Sequence, residues 1–208
     1  DENRDMTNKV MSSVAMFAEP SHHQKMVLVD YEKPEDAVGF VMGHNTLDAY
    51  WDDDHHSHER HHPQFGRNGE TPRQDISSRV SGPVLEFLNH NFCTAWKKET
   101  RIDLLGPRRH IARQLRLRPG HGTPVMAQVL RTQSQDNKRD IEKLYLQAVN
   151  NTTQFIYIEN QYFRWPPLAE KIKSVVKNLL DWGRDLEKDG PVYLFVVTNS
   201  NSEAIGDG

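Results

Sequence analysis

Between residues 155 and 198 the hydrophobic pattern changes period twice, and this limits the fold more than any other feature of the chain. Phe155-Ile-Tyr-Ile-Glu159 is a short β-rich run; Leu168, Ile172, Val175, Val176, Leu179 and Leu186 then recur at helical spacing; Val192 to Thr198 returns to a strand-length apolar run. Side chains repeat every two residues along a strand and every 3.6 along a helix, so the order reads strand, long helix, strand. Strands alternating with helices argue for an α/β layered sheet. A further amphipathic helix, marked by Ile141, Leu144, Tyr145, Ala148 and Val149, precedes this unit.

The N-terminal half has the same ingredients in a different order. Lys25 to Asp30 and Val38 to Gly43 are short apolar runs flanking the turn-forming stretch Tyr31 to Asp36. They read as two strands of one sheet, buried on both faces. Asp52 to Gln74 is polar and aperiodic, hence a long loop, and loops of that length usually carry function or disorder. Pro83 follows Ser81-Gly82 where a proline suits a first helical turn, and Leu85, Leu88, Phe92 and Trp96 define its core face. Thr100 to Gly122 reads as an arginine-rich loop broken by Gly106-Pro107, and Val125 to Thr132 as another strand. The expected division is 1–130 and 131–208, the second part being an α/β unit that has only begun.

Composition narrows the function classes. The 208 residues carry 26 Lys+Arg against 29 Asp+Glu, a formal charge of −3, so the chain as a whole is no electrostatic trap for nucleic acid or anionic membrane. A single cysteine, Cys93, excludes an intrachain disulfide framework and a multi-cysteine zinc site. The segment from Asp1 to Val10 has no basic region followed by an apolar run, so no signal peptide is read there. No apolar stretch approaches the roughly 18 to 20 residues of a spanning helix, and membrane contact would be peripheral.

The residues with chemical potential cluster at the first two strands. His23 and Lys25, two apart, project to the same side of an extended chain, while Asp30 points to the other. An imidazole can attack phosphorus and an ammonium can neutralise the oxygens on which charge develops. Gly43-His44-Asn45 places a small residue and an amide after the second strand, a setting for a phosphate cradle.

His-x-Lys-x4-Asp followed by Gly-x-Asn resembles the signature of the phospholipase D superfamily, the HKD motif. The resemblance continues in order through Gly39-Phe-Val-Met-Gly43, Tyr50-Trp-Asp52, Asp75 to Pro83, Phe92 with Trp96, and Phe155-Ile-Tyr-Ile-Glu-Asn-Gln-Tyr-Phe163. Gly43 to Trp51, Gly66-Arg-Asn68 and Pro72 to Ser78 are most similar to bacterial type VI secretion effectors of that class.

The resemblance implies a phospholipase D-like layered α/β sandwich of two pseudo-symmetric lobes sharing one cleft. It implies hydrolysis of the distal phosphodiester of a glycerophospholipid to phosphatidic acid and free headgroup alcohol through a phosphohistidine. His23 would be the nucleophile, Lys25 the phosphate clamp, Asp30 the third motif residue in a structural hydrogen-bonding role, and Asn45 a second phosphate ligand. Asp52, with Asp75 in reserve, would hold the far nitrogen of the nucleophile. Gly43, Glu159, Asn160 and Gln161 would line the cleft. No second His-x-Lys-x4-Asp occurs in the sequence. The expectation is therefore a fragment, with the second motif in the remainder of the same enzyme. The finer likeness implies secretion by a type VI system through spike proteins, action in the target-cell periplasm on a phospholipid surface, and a cognate immunity protein.

Rival readings are an HKD-type nuclease or phosphatidyl transferase, and a metal- or phosphate-binding fragment without turnover. Five histidines fall between His55 and His62 beside Asp52-Asp-Asp54, which is permissive for a metal but not diagnostic. We read that loop as a solvated rim and assign neither metal nor cofactor. The basic run Lys97, Lys98, Arg101, Arg108, Arg109, Arg113, Arg116 and Arg118 reads equally as a lipid- or phosphate-facing surface and as a solvated face. It lacks interleaved aromatic residues, so nucleic acid is not the expected partner. Trp165-Pro-Pro167 reads as the cap of the following helix.

Overall fold

The computed structural model describes residues 23–46, 75–120 and 122–198. The chain divides into two compact units, 1–129 and 130–208. Among the described residues the fold is mixed α/β, with three small sheets and four α-helices.

In the first unit, β1 (Met26–Val29), β2 (Val38–Met42) and β3 (Ser77–Val80) form an antiparallel sheet in that order. The register pairs Met26 with Val41 and Val29 with Val38 across the first ladder, and Met42 with Ser77 and Gly39 with Val80 across the second. Helix α1 (Leu85–Thr100) and helix α2 (Leu105–Ala112) follow. The core gathers Tyr31, Ala37, Leu85, Leu88, Ile111 and Leu115, with Met26, Leu28, Val80 and Val129 packed against it. Each fully buried Leu contributes about 1.5–3 kcal/mol relative to exposure. Gly39 permits this packing: a Cβ there would lie 2.7 Å from Leu88 Cδ1 and 2.8 Å from Leu85 Cδ2.

Four expectations change here. The first strands are covered on one face only, because Met26 and Leu28 turn toward the helices while Val27 and Val29, of opposite parity, stay 42% and 39% exposed. The third strand, Ser77–Val80, carries no apolar alternation and was not anticipated; its backbone pairs with β2 all the same. Leu85, Leu88, Asn89 and Cys93 form the buried stripe of α1, whereas Phe92 and Trp96 lie at its margin with their rings 5.7 Å apart. Finally, the stretch read as a loop contains α2, since Gly106 and Pro107 fall in the first turn, where a missing proline N–H costs no helical hydrogen bond.

The second unit begins with a short hairpin, β4 (Thr132–Gln133) and β5 (Lys138–Arg139), around a 3₁₀ turn at Ser134–Asp136. The strand expected over Val125 to Thr132 is absent; Val125 and Met126 are exposed, and only Thr132 with Gln133 finds a pairing partner. Helix α3 (Asp140–Asn150), β6 (Phe155–Glu159), α4 (Pro166–Asp181) and β7 (Tyr193–Val197) complete it. β6 and β7 pair in parallel from Phe155 opposite Tyr193 to Glu159 opposite Val197, the strand, helix, strand order expected for this stretch. Helix α4 stops at Asp181, before Gly183 at φ 96°, so Leu186 lies outside it. Trp165 caps α4, with Pro166 and Pro167 at its first positions, and packs against the core of Val149, Leu168, Ile172 and Val175.

β7 is not the buried strand its composition suggests. Ile156 and Ile158 face the helices, but Phe155, Tyr157, Tyr193 and Phe195 are 52–63% exposed. The Arg184 guanidinium donates to the carbonyls of Gly190 (2.8 Å) and Asp189 (3.0 Å), tying down the loop between α4 and β7.

Candidate active site

The first ladder continues past β1 by one hydrogen bond, Met42 N–H to the Lys25 carbonyl at 3.0 Å, and the second by Gly43 N–H to the Ile76 carbonyl at 3.0 Å. Lys25, Met42 and Ser77 therefore form one row across the three strands, on the sheet face opposite α1 and α2. At the rim of that row the Lys25 Nζ and His23 Nε2 lie 2.8 Å apart. An ammonium has three donors and no acceptor, so Lys25 donates and Nε2 supplies the lone pair. The two-residue spacing along extended backbone is what brings the side chains together.

A second imidazole lies at the same end of the sheet. His44 Nδ1 is 2.8 Å from Ser77 Oγ, joining the end of β2 to the start of β3. Sequence reasoning assigned neither residue a role: Ser77 entered only within the Asp75 to Pro83 segment of the resemblance, and His44 only as the middle of Gly-x-Asn. The strand pairing that joins them spans 33 positions. Gly43 lies against the exposed Asp75 carboxylate, which would have to move aside for a Cβ at that position. Asp75 Oδ1 in turn accepts the Ile76 N–H at 2.8 Å, which fixes the carboxylate at this rim. Asn45 follows, half-buried.

Asp30 sits at the opposite end of β1 from His23. Its backbone is left-handed, φ 50°, a conformation Asp tolerates, and its carbonyl accepts the Lys33 N–H at 2.8 Å to open the β1–β2 turn. Asp52 and the cluster from His55 to His62 lie outside the described residues. Among the described residues no group of three or more His, Cys, Asp or Glu side chains is placed to hold a metal ion.

Glu159, Asn160 and Gln161 belong to the second unit, at the C-terminal end of β6. Glu159 Oε2 accepts the Tyr157 hydroxyl at 3.0 Å, and this bond to a carboxylate pushes the Tyr157 phenol above its ordinary range. Asn160 N–H donates to the Val197 carbonyl (3.0 Å), its Oδ1 accepts the Tyr162 N–H (3.1 Å), and the Gln161 carbonyl accepts the Thr198 hydroxyl (3.0 Å).

Part of the basic run is structural. Arg108 donates to Glu32 Oε1 through Nε (2.9 Å) and to the buried Asn89 Oδ1 through Nη1 (3.2 Å), and Asn89 Oδ1 also accepts from Cys93 Sγ at 3.4 Å. Burial pushes the Cys93 thiol up, with the Arg108 cation opposing it. Arg116 donates to the Arg113 and Leu115 carbonyls, and Arg118 to that of Asp36. Arg108 and Arg118 tie distant segments of the first unit together, while Arg116 serves carbonyls of its own turn. No described helix is long and apolar enough to cross a membrane.

Comparison with known proteins gives one consistent result. The chain is similar to phospholipase D alpha 1 of Oryza sativa subsp. japonica, 27% identical over 224 positions that cover 83% of this chain and 28% of the relative. It is 28% identical to phospholipase D alpha 2 of Brassica oleracea var. capitata over 77% of this chain and 26% of the relative, and 27% identical to phospholipase D alpha 1 of Arabidopsis thaliana over the same shares. No family model matches, and no solved structure does. The chain thus spans about a quarter of the length of the curated relatives it matches. The likeness to these plant enzymes, over most of the chain, supports the phospholipase D superfamily.

Proposed function

We propose that this chain carries the first catalytic lobe of a phospholipase D, hydrolysing the distal phosphodiester of a glycerophospholipid through a phosphohistidine. The observation that supports the reading most directly is the Lys25 Nζ to His23 Nε2 contact of 2.8 Å at the rim of the sheet. The lysine donates to the lone pair of Nε2, and a phosphate oxygen approaching that nitrogen would meet its cation. An arriving phosphodiester exchanges the Lys25–His23 bond for a Lys25–phosphate bond and frees Nε2 to attack. The N–P bond forms as the bond from phosphorus to the headgroup oxygen breaks, and that oxygen takes a proton from the histidine of a second motif. Water then attacks phosphorus, giving its proton to the histidine of the second motif as the N–P bond breaks, and phosphatidic acid leaves.

Within this reading Asn45 is a second phosphate ligand, and Asp52 or Asp75 holds His23 Nδ1–H. Asp30 keeps its structural role, while Gly43, Glu159, Asn160 and Gln161 line the cleft. The two-lobed layered sandwich, and a second His-x-Lys-x4-Asp supplied by the same enzyme, complete the proposal. The route uses no metal or cofactor. Delivery as a type VI effector, with spike proteins as carriers, a phospholipid surface in the periplasm as target and an immunity protein as antidote, rests on the Gly43 to Trp51 and Pro72 to Ser78 segments.

Choline or ethanolamine release from defined phospholipid vesicles by the complete polypeptide tests it. Loss of roughly a thousandfold or more in His23→Ala is expected. Equal turnover by wild type and variant would overturn the nucleophile assignment, and abolition by EDTA would overturn the metal-free route. Cleavage of DNA but not lipid would instead favour the nuclease.

A further inference from the structure

We propose that His44, oriented by Ser77, is a third phosphate-contacting group of the site, beside Lys25 and His23. The inference rests on the phosphodiester reading above. Three observations place it. Lys25, Met42 and Ser77 share one row on the outer sheet face, so a side chain bonded to Ser77 lies on the face that carries Lys25. The β1–β2 register pairs residues whose numbers keep a constant sum, from Val29 opposite Val38 to Met26 opposite Val41. The Met42–Lys25 bond extends that ladder by one pair, and His23 and His44 each lie two residues beyond it at the same end of the sheet. Finally, His44 Nδ1 lies 2.8 Å from Ser77 Oγ, which fixes the ring plane and gives contact with a ligand to Nε2.

The chemistry follows from the hydroxyl, which both donates and accepts. When the Ser77 hydroxyl donates to Nδ1, the neutral ring carries its proton on Nε2 and offers a donor to a phosphate oxygen. When the ring is an imidazolium, Ser77 accepts from Nδ1–H and Nε2–H remains a donor, now charged. Either state adds a directed hydrogen bond to the point charge of Lys25. Ser77 is a positioning residue, since it acts through the ring.

The test uses inorganic phosphate as probe and the complete polypeptide as protein. Binding is followed by the imidazole nitrogen and Cε1–H resonances of specifically labelled histidine. Phosphate is expected to move the Nε2 signal of His44 and to bind about tenfold more weakly in His44→Ala, the loss of one hydrogen bond to a charged group. Ser77→Ala is expected to weaken binding about threefold while leaving the backbone spectrum of β1–β3 in place, and His44→Gln to recover part of the loss through its amide donor. Lys25→Ala separates the two ideas. If Lys25→Ala weakens phosphate binding and His44→Ala, folded by the same spectrum, does not, the role of His44 is overturned. If neither variant changes it, the phosphodiester site itself is misplaced.

Discussion

The sheet of β1–β3 and the pair β6–β7 both rest one face on helices, yet they are held differently. The antiparallel sheet adds a polar brace: Arg108 reaches from α2 to Glu32 in the β1–β2 turn and to Asn89, buried in α1. The parallel pair has a guanidinium tie too, but Arg184 ends on the backbone carbonyls of Thr153, Asp189 and Gly190 in the loops beside the strands; its helix face rests on the apolar contacts of Ile156 and Ile158, while Phe155, Tyr157, Tyr193 and Phe195 remain in water. The difference lies in what each guanidinium reaches: Arg108 joins a turn to a buried side chain of α1, whereas Arg184 joins loop carbonyls beside the strands.

Substitutions in the two cores should reveal the contrast most strongly. Leu88→Ala is expected to destabilise the first unit by about 2–5 kcal/mol and Gly39→Ala by about 1–3 kcal/mol through overpacking. Ile172→Ala, the matching truncation in the second unit, should cost about 2–5 kcal/mol, read at β6–β7. Hydrogen exchange at β1–β3 and β6–β7 amides reads each effect separately; equal losses at both sites in every variant would erase the distinction.

The brace itself is tested by Arg108→Met, for which a loss of about 1–3 kcal/mol is expected because Asn89 Oδ1 then keeps only the weak Cys93 thiol as donor. Glu32→Gln should cost less than about 1 kcal/mol, since the Glu32 carboxylate is largely exposed and screened. Urea titration of both variants decides whether the buried amide or the ion pair matters more.

Alkaline pH distinguishes the regions by cause. Tyr31 is pushed up by burial, then by the charges of Glu86 and Cys93, and Cys93 is itself pushed up by burial. Both bind protons more tightly folded than unfolded. Their contribution is complete below the ordinary thiol and phenol ranges, about pH 8.5 and 10, and is lost as pH rises through the raised values. Exchange protection of β1–β3 should fall across that window. Tyr157 is raised instead by its exposed bond to Glu159, so Glu159→Gln should return its phenol toward the ordinary range with Tyr31 unmoved. A phenol titration by NMR checks this, the smallest of the expected effects.

Local order was legible where one periodicity decides. Phe155 to Glu159 forms a strand with the bounds read from its run of β-forming residues, and the spacing of His23 and Lys25 already implied one shared side. Tertiary structure decided what depends on distant partners. Ser77–Val80 becomes a strand only because β2 offers its backbone, and His44 meets Ser77 only through that pairing. Leu85, Leu88, Asn89 and Cys93, rather than Phe92 and Trp96, became the inner stripe of α1 because Gly39 lets the helix approach β2 along that line. Arg108 left the basic run for a buried amide. A side-chain period is a property of neighbours and can be read from the chain, whereas the choice of pairing strand and buried face is a competition among segments far apart, settled by packing.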